Sequence, residues 1–228
     1  MTCFLYDKCN HKDCDKPFCL RKYKLDCLYN EALLSMSQRK HITLKVDASG
    51  VDLEEFKRLA NIEKNIDLFV QEKQNLYIHS STCGNGKSSW AIRMCTSYLD
   101  KIWAQSELTC KVLFISVPRF LLASKDKISA KNEYYEHVKA NYLSADIVVW
   151  DDIAAKTATE YEISQLLSMI DARLNVDKTN IFTSNLNPAQ MTEALGERIA
   201  SRICHKSIDI ELHGTDKRNL MPEEAKKW

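Results

Sequence analysis

The sequence predicts an α/β fold in which a parallel sheet, layered between helices, presents a phosphate-binding loop at the carboxyl edge of its strands. Three observations carry that prediction. Leu76-Tyr77-Ile78-His79 is a short apolar run that passes through a glycine-bearing turn into Gly86-Lys87-Ser88 and then a helical pattern. Val112 to Val117 and Ile147 to Trp150 are unbroken apolar runs, as expected of strands buried on both faces of a parallel sheet. The second of them runs straight into Asp151-Asp152, and open α/β sheets bind their ligands at that end of a strand.

The loop from Ser81 to Ser89 has the residues a polyphosphate cradle needs. Backbone N–H groups wrap an anion only where the chain bends sharply without side chains in the way, which Gly84 and Gly86 allow. The helix that follows turns its unpaired amides and positive dipole end toward the same point. Lys87 adds a full charge near the β- and γ-phosphates, and the Ser88 hydroxyl suits a Mg²⁺ ligand position. Ser81 stands where the usual G-x-x-x-x-G-K-[ST] pattern has its first glycine. Ser81, Thr82, Cys83, Gly84, Asn85, Gly86, Lys87, Ser88 and Ser89 are the expected nucleotide contacts, Cys83 being a small tolerated residue. Downstream, Asp151 is the expected second Mg²⁺ ligand, and Asp152 the group that orients or deprotonates an attacking water.

Composition narrows the class. The 228 residues suit one main domain with a small appendage, and a hydrophobic content of 45% suffices for a core. With 32 basic and 31 acidic residues, contact with nucleic acid has to come from a local patch. No apolar run approaches the ~20 residues that span a bilayer, and the N-terminus lacks the apolar stretch of a signal peptide, so a cytoplasmic protein is expected. In that reducing setting the crowding of Cys3, Cys9, Cys14, Cys19 and Cys27 favours metal ligation over disulfides.

From the start of the chain, residues 1–45 read as a Cys-rich module and 46–228 as the nucleotide-binding domain. Thiolates and imidazole suit tetrahedral Zn²⁺, whose binding can supply the folding free energy of a segment too short to bury a core. Cys9, Cys14 and Cys19 are the expected ligands, with His11, Cys27 or Cys3 as the fourth. The intervals between cysteines lack tight C-x2-C knuckles, and an iron–sulfur cluster or free thiols on a helical hairpin are the alternatives. Leu20 to Leu34 continue as helix. Residues 36 to 51 are a polar linker ending at Gly50. Asp52 and Glu55 look like a capping box opening a helix that carries Leu53, Phe56, Leu59, Ile66 and Phe69.

After the phosphate loop, Ala91, Met94, Cys95, Tyr98, Leu99 and Ile102 form a core-facing helical stripe. Thr159 with Glu162 predicts another capped helix, lined by Ile163, Leu166, Leu167, Ile170 and Leu174. Asn180 to Thr183 is a strand that delivers Asn185 beside the two carboxylates, where its amide reaches a γ-phosphate or a lytic water. Asn187-Pro188 starts a helix that Gly196 breaks. Ile208, Ile210 and Leu212 alternate as a last strand.

Taken together, the loop at 81–88, Val-Pro-Arg-Phe-Leu-Leu after the second strand, Val-Val-Trp-Asp-Asp-Ile, and Asn-Ile-Phe-Thr-Ser-Asn-Leu followed by Glu-Arg-Ile-Ala-Ser-Arg-Ile resemble the DnaC/DnaI-type helicase-loader family of AAA+ ATPases. The match covers about residues 52 to 220. The resemblance implies a five-stranded parallel sheet and ATP hydrolysis. It sets Asn185 at the sensor-1 position and Arg202 at the arginine finger that completes a neighbouring protomer's site. Arg198 would support that finger, and Arg218 falls where the family carries a late basic residue. About 40 residues follow Asn185, so the shorter architecture without a helical lid is expected. The implied partners are a replicative helicase, docked by the N-terminal module, single-stranded DNA and further copies of the chain. Arg119, Lys125, Lys127 and Lys131 mark a stretch that either faces DNA or is a solvated loop.

Three other readings compete. A transposition-helper ATPase of the IstB type shares nearly all the core motifs. A nucleotide or nucleoside kinase also uses a phosphate loop but commonly lacks the series Asp151-Asp152, Asn185 and Arg202. A zinc-bearing DNA-binding adaptor would use ATP only as an assembly switch with little hydrolysis.

Overall fold

A computed structural model describes residues 18–40, 50–126, 132–154 and 159–216, together with Cys3, Leu5, Cys9 and Leu44. Helix α1 (Leu20–Glu31) comes first, then α2 (Leu53–Lys64), α3 (Ile66–Gln71), β1 (Leu76–His79), α4 (Lys87–Ile102), β2 (Val112–Ser116), α5 (Val117–Asp126) and α6 (Glu133–Asn141). They are followed by β3 (Ile147–Asp151), α7 (Glu160–Asn175), β4 (Thr179–Ser184), α8 (Pro188–Leu195), α9 (Glu197–Cys204) and β5 (Ile208–Glu211). The strands form one five-stranded sheet in the order β2-β3-β4-β1-β5, and all four neighbouring pairs are parallel. The expected five-stranded parallel sheet flanked by helices is therefore present.

Alternation along the strands splits the interior into two cores, one on each face of the sheet. Leu76, Ile78, Val112, Phe114, Ile147, Val149 and Ile181 face α1 to α4. Tyr77, Leu113, Ile115, Val148, Trp150 and Phe182 face the other way, toward residues of α5 to α9. Leu25, Leu28 and Tyr29 of α1 are buried in the first core, and the Phe114 N–H of β2 donates to Ala32 O (3.0 Å) just after the helix. Helix α1 is thus packed on the nucleotide-binding body and covers an edge strand that would otherwise present unpaired amides.

Capping behaves differently at the predicted helix starts. Thr159 and Glu162 form the reciprocal capping box that the sequence predicts, and Asn187 forms one with Gln190 around Pro188. Asp52 does not cap α2. Its buried carboxylate instead accepts from the backbone N–H groups of His213 (2.7 Å) and Gly214 (2.8 Å), beyond β5. The continuous helix expected from Leu53 to Phe69 is divided at Asn65, giving α2 and α3. Two helices, α5 and α6, lie in the stretch between β2 and β3. Phe120 and Val138 bury their side chains there, and Asn132 Oδ1 caps α6 by accepting from Tyr135 N (3.1 Å). Among the described residues no helix is long and apolar enough to cross a membrane.

At the amino end of the strands a polar cluster is sealed inside. Arg173 of α7 has no solvent exposure. Its Nε donates to Asn180 Oδ1 (2.9 Å), Nη1 to Ala145 O (3.0 Å) and Tyr142 O, and Nη2 to Thr179 O (2.6 Å). Asn180 also accepts from Trp150 Nε1 (3.1 Å), and its own N–H and amide donate to Asn75 Oδ1.

Candidate nucleotide-binding site

Strand β1 lies between β4 and β5, and because the sheet is parallel its last residue opens onto the same edge as the ends of β3 and β4. His79 is in register with Ser184, while Asp151 ends β3. The phosphate loop, the two aspartates and Asn185 are brought to that one edge.

Gly84 (φ +76°) and Gly86 (φ +106°) take the left-handed backbone that L side chains rarely adopt. Gly84 has a further reason to lack a side chain, since a β-carbon there would run into the Asp216 carboxylate. Ser81 is not among the positive-φ residues, so a serine there imposes no backbone strain. Asn85, read from sequence only as a loop position, is a buried brace. Its Nδ2 donates to Ser80 Oγ and to Leu212 O (3.3 Å). Lys87 opens α4 and is only 5% exposed, with Nζ on Thr82 O (3.0 Å) and Asn85 Oδ1 (3.3 Å). These are the bonds a lysine exchanges for phosphate oxygens when an anion fills the cradle.

Asp151 is buried at the end of β3 and accepts from Thr183 Oγ1 (2.7 Å) and from the Ser88 hydroxyl. Burial pushes its carboxyl above the ordinary value. Ser88, Thr183 and Lys87 oppose that rise, and nearby Asp152 adds to it. A buried carboxylate and a hydroxyl, already hydrogen-bonded across two elements, are the hard oxygen donors Mg²⁺ takes, so the residues present fit that ion. Asp152 follows in the left-handed region (φ +55°), half-buried, its N–H on Thr183 Oγ1 (3.0 Å). Asn185, half-buried, sits one residue beyond β4. The end of β4 is fixed by Ser184 Oγ donating to Ile153 O (2.8 Å) and Tyr77 Oη donating to Leu186 O (2.6 Å).

The raised Asp151 carboxyl gives a pH prediction. Its folded-state value lies above the unfolded one, so the folded protein holds that proton more readily, and the cost of the ionised form is relieved as pH falls through the raised value. Asp151→Asn should therefore melt at a higher temperature than the parent at neutral pH without nucleotide, the gap narrowing at a lower, acidic pH. It should also lose Mg²⁺-dependent nucleotide binding. Thermal melts at the two pH values, with and without Mg²⁺ and ATP, check both outcomes.

The other predicted residues lie elsewhere. Arg202 of α9 pairs through Nε with Asp171 Oδ1 of α7 (2.9 Å), and Arg198 Nη2 lies 3.6 Å from Asp171 Oδ2. None of the described ion pairs ties either arginine to this chain's own phosphate loop. Arg119 stacks over Tyr134 (4.1 Å to the ring centroid) and Lys125 pairs with Glu162 (3.1 Å). Lys127, Lys131 and Arg218 lie outside the described residues, as do His11 and Cys14. Cys3 and Cys19 are exposed, Cys9 and Cys27 half-buried, and the described residues contain no group of three His, Cys, Asp or Glu that could hold a metal. Thr183 is the functional-site residue that the sequence reading passed over, because nothing local marks a strand threonine as a partner of residues about 30 positions upstream.

A central phosphate loop between β1 and α4, acidic residues closing β3, and the order β2-β3-β4-β1-β5 define a P-loop fold of the AAA+ type. Residues 60–208 match the family described as the bacterial DnaA ATPase domain, and the chain belongs to that family. The replicative helicase loader DnaC of Escherichia coli strain K12 is 28% identical over 127 residues, which is 56% of this chain and 49% of that protein. The chain thus spans about half the length of the curated relatives it matches. Among solved structures, DnaI superimposes with a TM-score of 0.56 at 19% identity, covering 74% of this chain and 91% of that one. The DnaC helicase loader gives 0.53 at 18% identity, covering 65% and 86%. These two likenesses speak for the fold, and the resemblance to DnaC/DnaI-type AAA+ proteins stands.

Proposed function

We propose that this protein is an ATP-hydrolysing loader of a replicative helicase, acting in the cytoplasm at the initiation of DNA replication. The observation that carries the reading is the convergence of the phosphate loop, Ser88 and Asp151 at one edge of an AAA+ sheet, in a chain similar to a protein named a replicative helicase loader. In this reading the loop amides and Lys87 hold the ATP phosphates. Asp152 orients the attacking water and accepts its proton, and Asn185 contacts the γ-phosphate side. Ser88 and Asp151 would hold Mg²⁺, which when bound would neutralise charge at the transferring phosphoryl group.

Arg202 completes the site of a neighbouring copy, leaving Asp171 to do so, with Arg198 in support. Arg119 and Lys125 belong to the surface that meets single-stranded DNA. Cys9, His11, Cys14 and Cys19, with Cys27 or Cys3 as an alternative ligand, hold Zn²⁺ in a helicase-docking module within residues 1–45; the crowding of cysteines there supports it.

A pull-down of the cognate replicative helicase with ATP and Mg²⁺, run beside a phosphate-release assay, tests the reading. Removing residues 1–45 would strip Leu25, Leu28 and Tyr29 from the core, whereas deletion of residues 1–17 takes Leu5 alone among the described buried core residues and is the more informative. Helicase should be retained by the full chain and lost on that deletion and in the Cys9→Ser/Cys14→Ser double variant, and elemental analysis should find about one zinc per chain. Absence of zinc removes the metal module. Absence of helicase binding by the full chain sinks the loader assignment and leaves the transposition-helper reading in its place.

A further inference from the structure

The polar contacts around β3 and β4 converge on one side chain that no part of the catalytic reading uses. Thr183 is fully buried, and its hydroxyl spans two consecutive residues of the acidic pair. It donates to Asp151 Oδ1 (2.7 Å) and accepts from Asp152 N (3.0 Å). Its carbonyl takes the N–H of the next residue, Ile153 (2.9 Å). The direction of the hydroxyl proton is settled by chemistry: a backbone N–H can only donate, so the single O–H of Thr183 points at the Asp151 carboxylate. The paired β3–β4 register runs from Ile147↔Thr179 to Trp150↔Phe182. Beyond it the chain enters the left-handed turn at Asp152 and Ala154, and the threonine side chain takes over the tie between the two strands.

We propose that Thr183 is a positioning residue for nucleotide hydrolysis, which fixes the rotation of the Asp151 carboxylate toward the metal and holds the turn that presents Asp152 to the attacking water. The inference rests on the ATPase reading above. A threonine here for packing alone would be replaceable by valine, which has the same shape and an equal liking for strands. A threonine here for its hydroxyl is not. Residues that orient a metal ligand from behind typically contribute ~10–100-fold to metal affinity or turnover.

The test compares Thr183→Val, Thr183→Ser and the parent full-length protein in two assays. The first titrates Mg²⁺ against binding of a fluorescent, non-hydrolysable ATP analogue; the second measures steady-state phosphate release. Thr183→Val should bind the analogue without Mg²⁺ as the parent does, need roughly 10-fold more Mg²⁺ for half-maximal enhancement, and lose ~10–100-fold in kcat with KM for ATP within about 2-fold. Thr183→Ser, which keeps the hydroxyl, should restore the Mg²⁺ midpoint. Should Thr183→Val fail to fold, Thr183→Ala against Thr183→Ser isolates the hydroxyl, because both lose the methyl group. Equal Mg²⁺ midpoints and equal kcat with and without the hydroxyl overturn the inference. If the parent itself neither binds the analogue nor releases phosphate, it is the ATPase reading that fails, and the two failures are told apart by the parent alone.

Discussion

Lys87→Ala should lower ATP hydrolysis by at least ~10²-fold, the loss typical when one preorganised donor to developing charge is removed. The side chain is buried at the start of α4, and its ammonium has polar partners within the loop, Thr82 O and Asn85 Oδ1. Binding a phosphate therefore exchanges these bonds for stronger charge-assisted ones, with little reorganisation of the chain. Deleting the ammonium leaves those two acceptors beside a partly open loop where water replaces it, so the fold should survive with a small change in melting temperature. Lys87→Arg should not rescue turnover, since a planar fork does not fit a cavity shaped for a compact ammonium. Phosphate release together with ATP-analogue binding checks the prediction, and a Lys87→Ala variant with parental turnover would remove the phosphate loop from the mechanism.

Arg173→Leu should be the most damaging single change to stability, costing ~3–5 kcal/mol. The guanidinium is sealed from solvent, and burial pulls its pKa down to about 9, which still leaves it charged at neutral pH. Its donors satisfy the carbonyls of Tyr142, Ala145 and Thr179 and the side chain of Asn180, so one residue ties the approach to β3, the start of β4 and α7 together. A leucine fills much of the volume but leaves three buried carbonyls without their donor. For a domain of this size the loss corresponds to a melting temperature lower by roughly 10 °C. Urea unfolding of the two proteins measures it, and a difference below ~1 kcal/mol would mean water enters and satisfies the carbonyls.

The features legible from sequence are those whose partners are close along the chain. Gly84, Gly86, Lys87 and Ser88 act within one turn, Thr159 and Glu162 within another, and the apolar runs of β2 and β3 announce burial on both faces. The features that were not legible depend on residues brought together by the sheet. Asp52 has the composition of a helix cap, yet two backbone amides more than 160 positions later outcompete the local ones. Thr183 and Arg173 look like an ordinary strand residue and an ordinary helix residue until β3 is set beside β4. Helix α6 carried a readable signal, Asn132 as cap with Tyr135 and Val138 spaced along one face, which its polar surroundings masked. Arg202 shows the same limit: its place on α9 follows from the chain, whereas its pairing with Asp171 follows from the packing of α9 on α7.

The Asp52 carboxylate also defines a load path. It ties the start of α2, just after Gly50, to the residues that follow β5, His213 and Gly214. The adjoining Leu212 is bonded through its N–H to His79 O (2.8 Å) at the end of β1, and through its carbonyl to Asn85 of the phosphate loop. A displacement of the start of α2 is therefore not confined to that helix. It passes through one carboxylate and a short stretch of backbone to the cradle, so the seating of α2 and the seating of the phosphate loop are joined by one chain of hydrogen bonds.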